Sequence, residues 1–333
     1  MDLDQLNGVA EAMVADHKGL LAADESHGTI AKRLASIQVD ATEKNRRDYR
    51  ELLFRSDGLG QFISGIILYD ETIRQKAQDN SLLADLIKAG GIIPGIKVDI
   101  GAKPLAGSDH ETVTEGLDGL PERIDEYRGL GAQFAKWRAV IRIGKNMPSQ
   151  YCINVNAQGL ARYARICQEG GLVPIVEPEV LMEGDHSIEQ CQEVTELVLQ
   201  VTFRELYNQG VKCEGMILKP NMIISGQRCS FQADMSEVAE KTVLVLRRTV
   251  PASVPGIMFL SGGQSEKLAT SHLKLMNLNF PNEPWKLSFS YGRALQESAL
   301  KAWKGESSNI NAAQKALLKR AQHNSLACQG EPE

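Results

Sequence analysis

The sequence predicts an α/β protein, a single (β/α)8 TIM barrel with one additional C-terminal helix. Three observations carry this expectation. Short apolar runs alternate with helical stretches eight times along the chain, the pattern of parallel βα units. Composition does not break anywhere along the 333 residues, and such a barrel needs about 250 residues or more. The structural rival, a doubly wound open sheet, favours a Gly-rich phosphate turn after its first strand. Here residues 22–26 do not read G-x-G-x-x-G.

Each element follows from its own residues. Leu20-Leu21-Ala22-Ala23 is a short buried run, with a helix starting near Thr29. A second strand is expected over residues 63–69 and a helix over 82–89. The third strand, 92–98, is followed by a Gly-rich connection reaching Pro121. Residues 132–140 and 173–176 read as strands four and five, with helices over 155–169 and 188–208. The sixth strand, 216–218, stops because Pro220 has no N–H for a ladder and holds Lys219 extended. A helix over 236–248 follows. Strands seven (256–260) and eight (287–289) each precede a helix, 265–276 and 293–303. After a polar linker, 304–309, Ala313, Ala316, Leu317 and Arg320 recur at helical spacing within 310–326. Residues 1–327 therefore read as one domain and 328–333 as a short disordered tail.

Composition narrows the function. Hydrophobic residues are 43% and charged residues 24%, as in ordinary globular proteins. The net charge is −5 and Lys and Arg are spread along the chain, which argues against nucleic acid as a partner. No apolar run approaches the ~20 residues of a membrane span. The start, Met1-Asp2-Leu3-Asp4, lacks a signal-peptide core. Cys152, Cys167, Cys191, Cys213, Cys229 and Cys328 form no C-x-x-C pair. They read as free thiols in a reducing compartment, which points to the cytoplasm. The histidines form no H-E-x-x-H, so no metal site is expected.

In a barrel the carboxyl ends of the strands build the active site. Here those ends carry Asp24, Lys97 with Asp99, Lys136 with Arg138, Glu177 with Glu179, Lys219, and Arg293 after the last strand. Three strands hold their charges at i and i+2, which alternation puts on one face. Charges inside a barrel are costly unless paired, so solvated surface explains this set poorly. With Arg33 there are six positive and four negative groups, an excess of two in a chain of −5. That excess suits an anionic ligand.

Taken alone, Lys219 reads as a strand-end lysine reaching solvent. In this company it reads as a nucleophile, because burial penalises an ammonium and a neutral amine attacks carbonyls. Lys136 would favour the neutral form by like-charge repulsion. Ser261-Gly262-Gly263 at a helix start, with Arg293, form a candidate phosphate site; alone they are a tight turn. Asp24 to Arg33, with Ser26 and Thr29, reads equally as a second anion cradle or an ordinary N-cap. Two anion sites facing one lysine suggest a substrate with phosphates at both ends and a carbonyl between. An iminium on Lys219 would serve as electron sink, and the neighbouring C–C bond would break once a base takes the β-hydroxyl proton. A Mg²⁺ site on Asp99, Glu177 and Glu179 is opposed by Lys136, Arg138 and Lys219 on the same rim. A barrel that binds phosphosugars with little turnover is a further alternative.

The motifs resemble class I fructose-1,6-bisphosphate aldolase. The matching segments include Leu21-Ala22-Ala23-Asp24-Glu25-Ser26, Gly95-Ile96-Lys97-Val98-Asp99, Lys136-Trp137-Arg138 and Glu177-Pro178-Glu179. Leu218-Lys219-Pro220-Asn221-Met222, Leu260-Ser261-Gly262-Gly263-Gln264-Ser265 and Ser290-Tyr291-Gly292-Arg293 continue the match in family order. The resemblance implies metal-independent cleavage of fructose 1,6-bisphosphate, without a cofactor, by a homotetramer acting on phosphorylated ketose and triose substrates. It implies Lys219 as the Schiff-base lysine and Glu177 as the acid/base of carbinolamine formation and dehydration. Asp24 is implied at the hydroxyl beside the scissile bond, Lys136 as an assisting lysine, and Glu179 as the charge partner of Lys136. Ser261, Gly262, Gly263 and Arg293 match the ketone-side phosphate site. Ser26, Thr29, Arg33 and Lys97 match the other, with Arg138 lining the same pocket. The family's tail usually ends in a tyrosine that aids proton exchange, whereas the last tyrosine here is Tyr291. That implies a slower exchange or a substitute group. Ile100 stands where the family often has lysine, and Thr29 where it often has serine.

Overall fold

The computed structural model describes residues 2–331, and in it eight parallel strands close into a barrel in sequence order. The chain opens with α1 (Leu3–Met13), β1 (Gly19–Ala23), α2 (His27–Ala35) and α3 (Glu43–Phe54). β2 (Ile63–Leu68) leads through α4 (Asp70–Arg74) and α5 (Leu83–Ala89) to β3 (Ile93–Lys97). The Gly-rich connection contains an antiparallel hairpin, β4 (Ala102–Pro104) with β5 (Thr112–Thr114), and then α6 (Leu120–Gly129). Next come β6 (Phe134–Ile141), α7 (Gln150–Glu169), β7 (Val173–Val180), α8 (Ile188–Asn208), β8 (Ile217–Leu218) and α9 (Met235–Thr249). The last units are β9 (Gly256–Phe259), α10 (Glu266–Asn279), β10 (Lys286–Tyr291), α11 (Arg293–Trp303) and α12 (Ile310–Cys328).

Two side-chain layers follow from strand alternation. Leu20 and Ala22 on β1, Phe134 on β6, Val173 and Ile175 on β7, Ile217 on β8 and Met258 on β9 form an interior cluster. Leu21, Ala23, Ala135, Trp137, Val176 and Leu218 face outward into the cluster shared with the helices. Phe134 needs room at the barrel centre. A Cβ on Gly95 would lie 2.1 Å from its ring, so β3 carries glycine there. Continuing the interior parity upward gives Asp24, Lys136, Glu177 and Lys219. The same alternation that buries the apolar floor therefore aims the charged groups at the mouth.

Some of the fold departs from the expected elements. α1 was not among them. Its Leu6, Ala10 and Met13 pack as one face against Leu20, Val173 and Ile217 near the starts of their strands, closing the barrel floor. β7 runs on through Pro178, where a stop near 176 was expected. Even-numbered backbone groups of β7 face β8, since Lys219 N–H donates to the Val176 carbonyl at 2.9 Å. β8 has ended by the level of Pro178, so the missing N–H breaks no ladder bond. The tail expected from 328 is in part packed structure. Cys328 ends α12 with its thiol 3.5 Å from Ser288 Oγ, and Gly330 is buried against Leu278. Pro332, Glu333 and Met1 lie outside the described residues.

Candidate active site

At the carboxyl ends of the strands lies a cavity of about 810 Å³. Of the residues singled out from sequence, all but Gly263 line it. Gly263 sits just behind, in the left-handed region at φ +78°, where a Cβ would fall 2.5 Å from that of Met182. Its role is to turn the chain, so the expected contact with a ligand moves to its neighbours Ser261 and Gly262. Eight Lys or Arg and six Asp or Glu line the whole cavity, again an excess of two positive charges.

The centre is one buried chain of alternating charge. Lys219 Nζ lies 3.1 Å from Glu177 Oε1, and Lys136 Nζ lies 3.3 Å from Glu177 Oε2 and 2.6 Å from Asp24 Oδ2. Lys136, Glu177 and Lys219 are each 4% exposed or less. Burial opposes ionisation of Asp24, but the adjacent Lys136 and Lys219 outweigh it and bring the carboxyl down to about 2. Burial also opposes charge on Glu177, and Lys136, Lys219 and Arg138 overcome it, so its pKa is lowered. Burial disfavours the Lys136 ammonium, yet Asp24, Glu177 and Asp99 hold its pKa well above the ordinary lysine value. Lys136 is therefore a standing cation between two carboxylates.

Around this centre the partners differ in one respect from expectation. Glu179, implied as the charge partner of Lys136, instead forms an ion pair with Arg138. The physical reason is register. Glu179 stands one inward position above Glu177 and pairs across from Val140, two inward positions above Lys136. Gly262 makes room for it, since a Cβ there would lie 3.1 Å from Glu179 Oε1. The three acids weighed as Mg²⁺ ligands are each engaged by a cation: Asp99 by Lys97, Glu177 by both lysines, Glu179 by Arg138.

The two anion corners lie on opposite sides of the lysines in sequence. Ser261 and Gly262 follow β9, with Ser265 capping α10 through its hydroxyl to Leu268 N–H at 3.2 Å. Arg293, the first residue of α11, donates from Nη2 to the Gln264 carbonyl at 2.8 Å. On the other side Ser26 precedes α2, its hydroxyl 3.3 Å from that of Thr29, and no side-chain cap bond from Ser26 to the helix is made. That leaves the Ser26 hydroxyl to the cavity and weakens the N-cap reading. Arg33 is ion-paired with buried Glu25. Lys97 Nζ donates to Asp99, which also accepts from the Arg138 backbone N–H at 3.2 Å.

Sequence reading passed over Glu25, Gln296 and Ser290. Gln296 Nε2 donates to the Ala22 carbonyl at 2.7 Å and to Glu25 at 2.9 Å, and Tyr49 donates to Gln296 at 3.0 Å. Ser290 lines the cavity, and inward parity from Ser288 on the last strand could have found it.

The family model described as "Fructose-bisphosphate aldolase class-I" matches residues 5–333. The "Probable fructose-bisphosphate aldolase class 1" of Xanthomonas axonopodis is 56% identical over 332 residues, 99% of each chain. Fructose-bisphosphate aldolase B of Gallus gallus is 53% identical, covering 98% of this chain and 90% of that one. A solved structure of fructose-bisphosphate aldolase from Plasmodium falciparum, in complex with TRAP and a small-molecule inhibitor, superposes with a TM-score of 0.98. It is 49% identical, covering 99% of this chain and 96% of that one. Fold, charged rim and relatives agree, and the chain belongs to the class I fructose-bisphosphate aldolases, metal-independent lyases that act through a lysine Schiff base.

Proposed function

We propose that the lysine–carboxylate chain carries the family's reversible cleavage of fructose 1,6-bisphosphate to dihydroxyacetone phosphate and glyceraldehyde 3-phosphate. Lys219 Nζ, as the free amine, adds to the ketone carbon to give a carbinolamine. Glu177, 3.1 Å away, manages the protons: its carboxylate takes the proton that Lys219 sheds on becoming the free amine and later passes it to the departing hydroxyl, which leaves as water, and the iminium forms. Asp24, held ionised, takes the proton of the hydroxyl beside the scissile bond. That C–C bond then breaks, the aldehyde leaves, and the electron pair flows to the iminium as an enamine. Protonation of the enamine and attack of water release the second triose and restore Lys219. Lys136, bonded to both carboxylates, keeps them oriented and ionised between steps. Ser261, Gly262 and Arg293 take the phosphate on the ketone side. Ser26, Thr29, Arg33, Lys97 and Arg138 take the other, and Glu179 orients Arg138.

The observation that carries this reading is the Lys219–Glu177–Lys136–Asp24 chain, buried at the barrel mouth. Borohydride added with dihydroxyacetone phosphate should reduce the Schiff base and label Lys219, located by peptide mass. Lys219→Met should abolish both label and turnover, whereas chelator should leave activity intact. A label that persists in that variant would remove Lys219 from the mechanism.

A homotetrameric, cytoplasmic enzyme is part of the same proposal. Tyr207 and Phe231 are 85% and 70% exposed and offer apolar surface for subunit contacts. The cysteines are free thiols, in keeping with a reducing compartment. No helix among the described residues is long and apolar enough to cross a membrane. Sedimentation velocity of the purified protein tests the tetramer.

A further inference from the structure

Gln264 is a junction. Its backbone N–H donates to the Ser261 carbonyl at 3.2 Å, closing the turn that carries Gly262 and Gly263. Its own carbonyl accepts from Arg293 Nη2 at 2.8 Å. Its side chain is buried, with Oε1 2.6 Å from His272 Nδ1 and Nε2 3.5 Å from the Met222 sulfur, three residues past Lys219. An amide oxygen only accepts, so His272 Nδ1 carries the proton. His272 is 2% exposed on α10, and α10 is itself tied to α12, where Arg320 donates to the Glu266 carbonyl at 2.8 Å and to Thr270 Oγ1 at 2.6 Å. The backbone peptide that fixes Arg293 is thus braced from below by a rigid helix pair.

We propose that His272 is a positioning residue: through Gln264 it sets the place of Arg293 and so the affinity for the phosphate beside the substrate carbonyl, without taking part in the chemistry at Lys219. The inference rests on the reading that Ser261, Gly262 and Arg293 bind that phosphate. Without the His272 donor, Gln264 Oε1 becomes a buried acceptor lacking its partner, a costly state. The carboxamide relieves it by turning, the 264 carbonyl moves with it, and Arg293 loses its anchor. The neutral imidazole suits this part. Burial lowers its pKa to about 4, so near neutral pH it adds no charge to the floor of an anion site.

The test is calorimetric binding of dihydroxyacetone phosphate to the full-length protein and to His272→Leu, His272→Asn, Arg293→Ala and the His272→Leu/Arg293→Ala double variant. The Asn amide nitrogen occupies nearly the place of Nδ1 and restores the donor. His272→Leu should raise Kd about tenfold, the cost of one buried bond. His272→Asn should stay within about twofold, and kcat on saturating fructose 1,6-bisphosphate should change less than about twofold in both. In the Arg293→Ala background His272→Leu should add less than about twofold, because the two act as one unit. If His272→Leu does not fold, Gln264→Met, which removes the same bond from the other side, should give the same tenfold loss. Normal binding in His272→Leu, or an equal loss in both backgrounds, would overturn the positioning role. Normal binding in Arg293→Ala would instead overturn the phosphate reading beneath it.

Discussion

The two anion corners of the cavity are built on opposite plans. At one, Arg293 is anchored by a backbone carbonyl, so its positive charge faces the cavity uncancelled at its anchor. At the other, each cation already meets a carboxylate: Arg33 meets Glu25, Lys97 meets Asp99 and Arg138 meets Glu179. A phosphate at the first corner adds a charge pair. A phosphate at the second must share cations with resident acids, so each contact there is worth less. The corner of backbone turns and one bare arginine should dominate binding, and the paired corner should set geometry.

Three measurements can break or sharpen this contrast. The largest effect is expected from Glu25→Gln. It leaves Arg33 without its counter-charge and the buried Arg50, 3.9 Å from Glu25 Oε2, with Glu71 at 3.4 Å as its remaining partner. Removing one partner of a buried pair costs about 3 kcal/mol, so urea unfolding should show that loss. An unchanged midpoint would mean the paired corner is held together by something else. Next, Arg293→Ala should raise KM for fructose 1,6-bisphosphate roughly 10- to 100-fold, as loss of a charge-assisted phosphate contact. Arg33→Ala should cost no more than about fivefold by the same measure. Equal effects would refute the difference between the corners.

The third expected effect concerns pH. His272 has its pKa lowered by burial from 6.5 to about 4. The folded protein therefore binds fewer protons there than the unfolded chain between these values. Its contribution is intact above pH 6.5 and is lost as pH falls towards 4. At pH 5 this amounts to roughly 2 kcal/mol relative to pH 7. His272→Asn lacks the titration, so the stability gap between wild type and variant should shift by that amount between the two pH values. A constant gap would mean that the imidazole is already exposed to solvent.

Much of this was legible from residue order alone. Period-2 alternation puts Lys97 with Asp99, Lys136 with Arg138 and Glu177 with Glu179 on inward faces, and Pro220 marks the end of the strand that delivers Lys219. What alternation does not give is height within the barrel. The layer offset between neighbouring strands decides that Glu179 meets Arg138 while Glu177 meets Lys136. The apolar run 173–176 does not show how far β7 extends, because whether the missing N–H of Pro178 matters depends on which neighbour it faces. Gln264 and His272 meet across eight residues and a helix start, a contact with no periodic signature. Gly263 looked like a ligand contact because glycine serves both close approach and positive φ, and sequence does not separate the two.

The helix at the start of the chain has a kinetic consequence. Leu6, Ala10 and Met13 pack with the apolar interior layer at the base, so among the described residues the floor beneath the cavity is filled and the cavity opens at the carboxyl ends of the strands. Both three-carbon pieces must exit by the route the six-carbon sugar used to enter. The aldehyde must clear first while its twin stays tethered, so release is sequential, and the departing fragments compete with fresh substrate for one entrance.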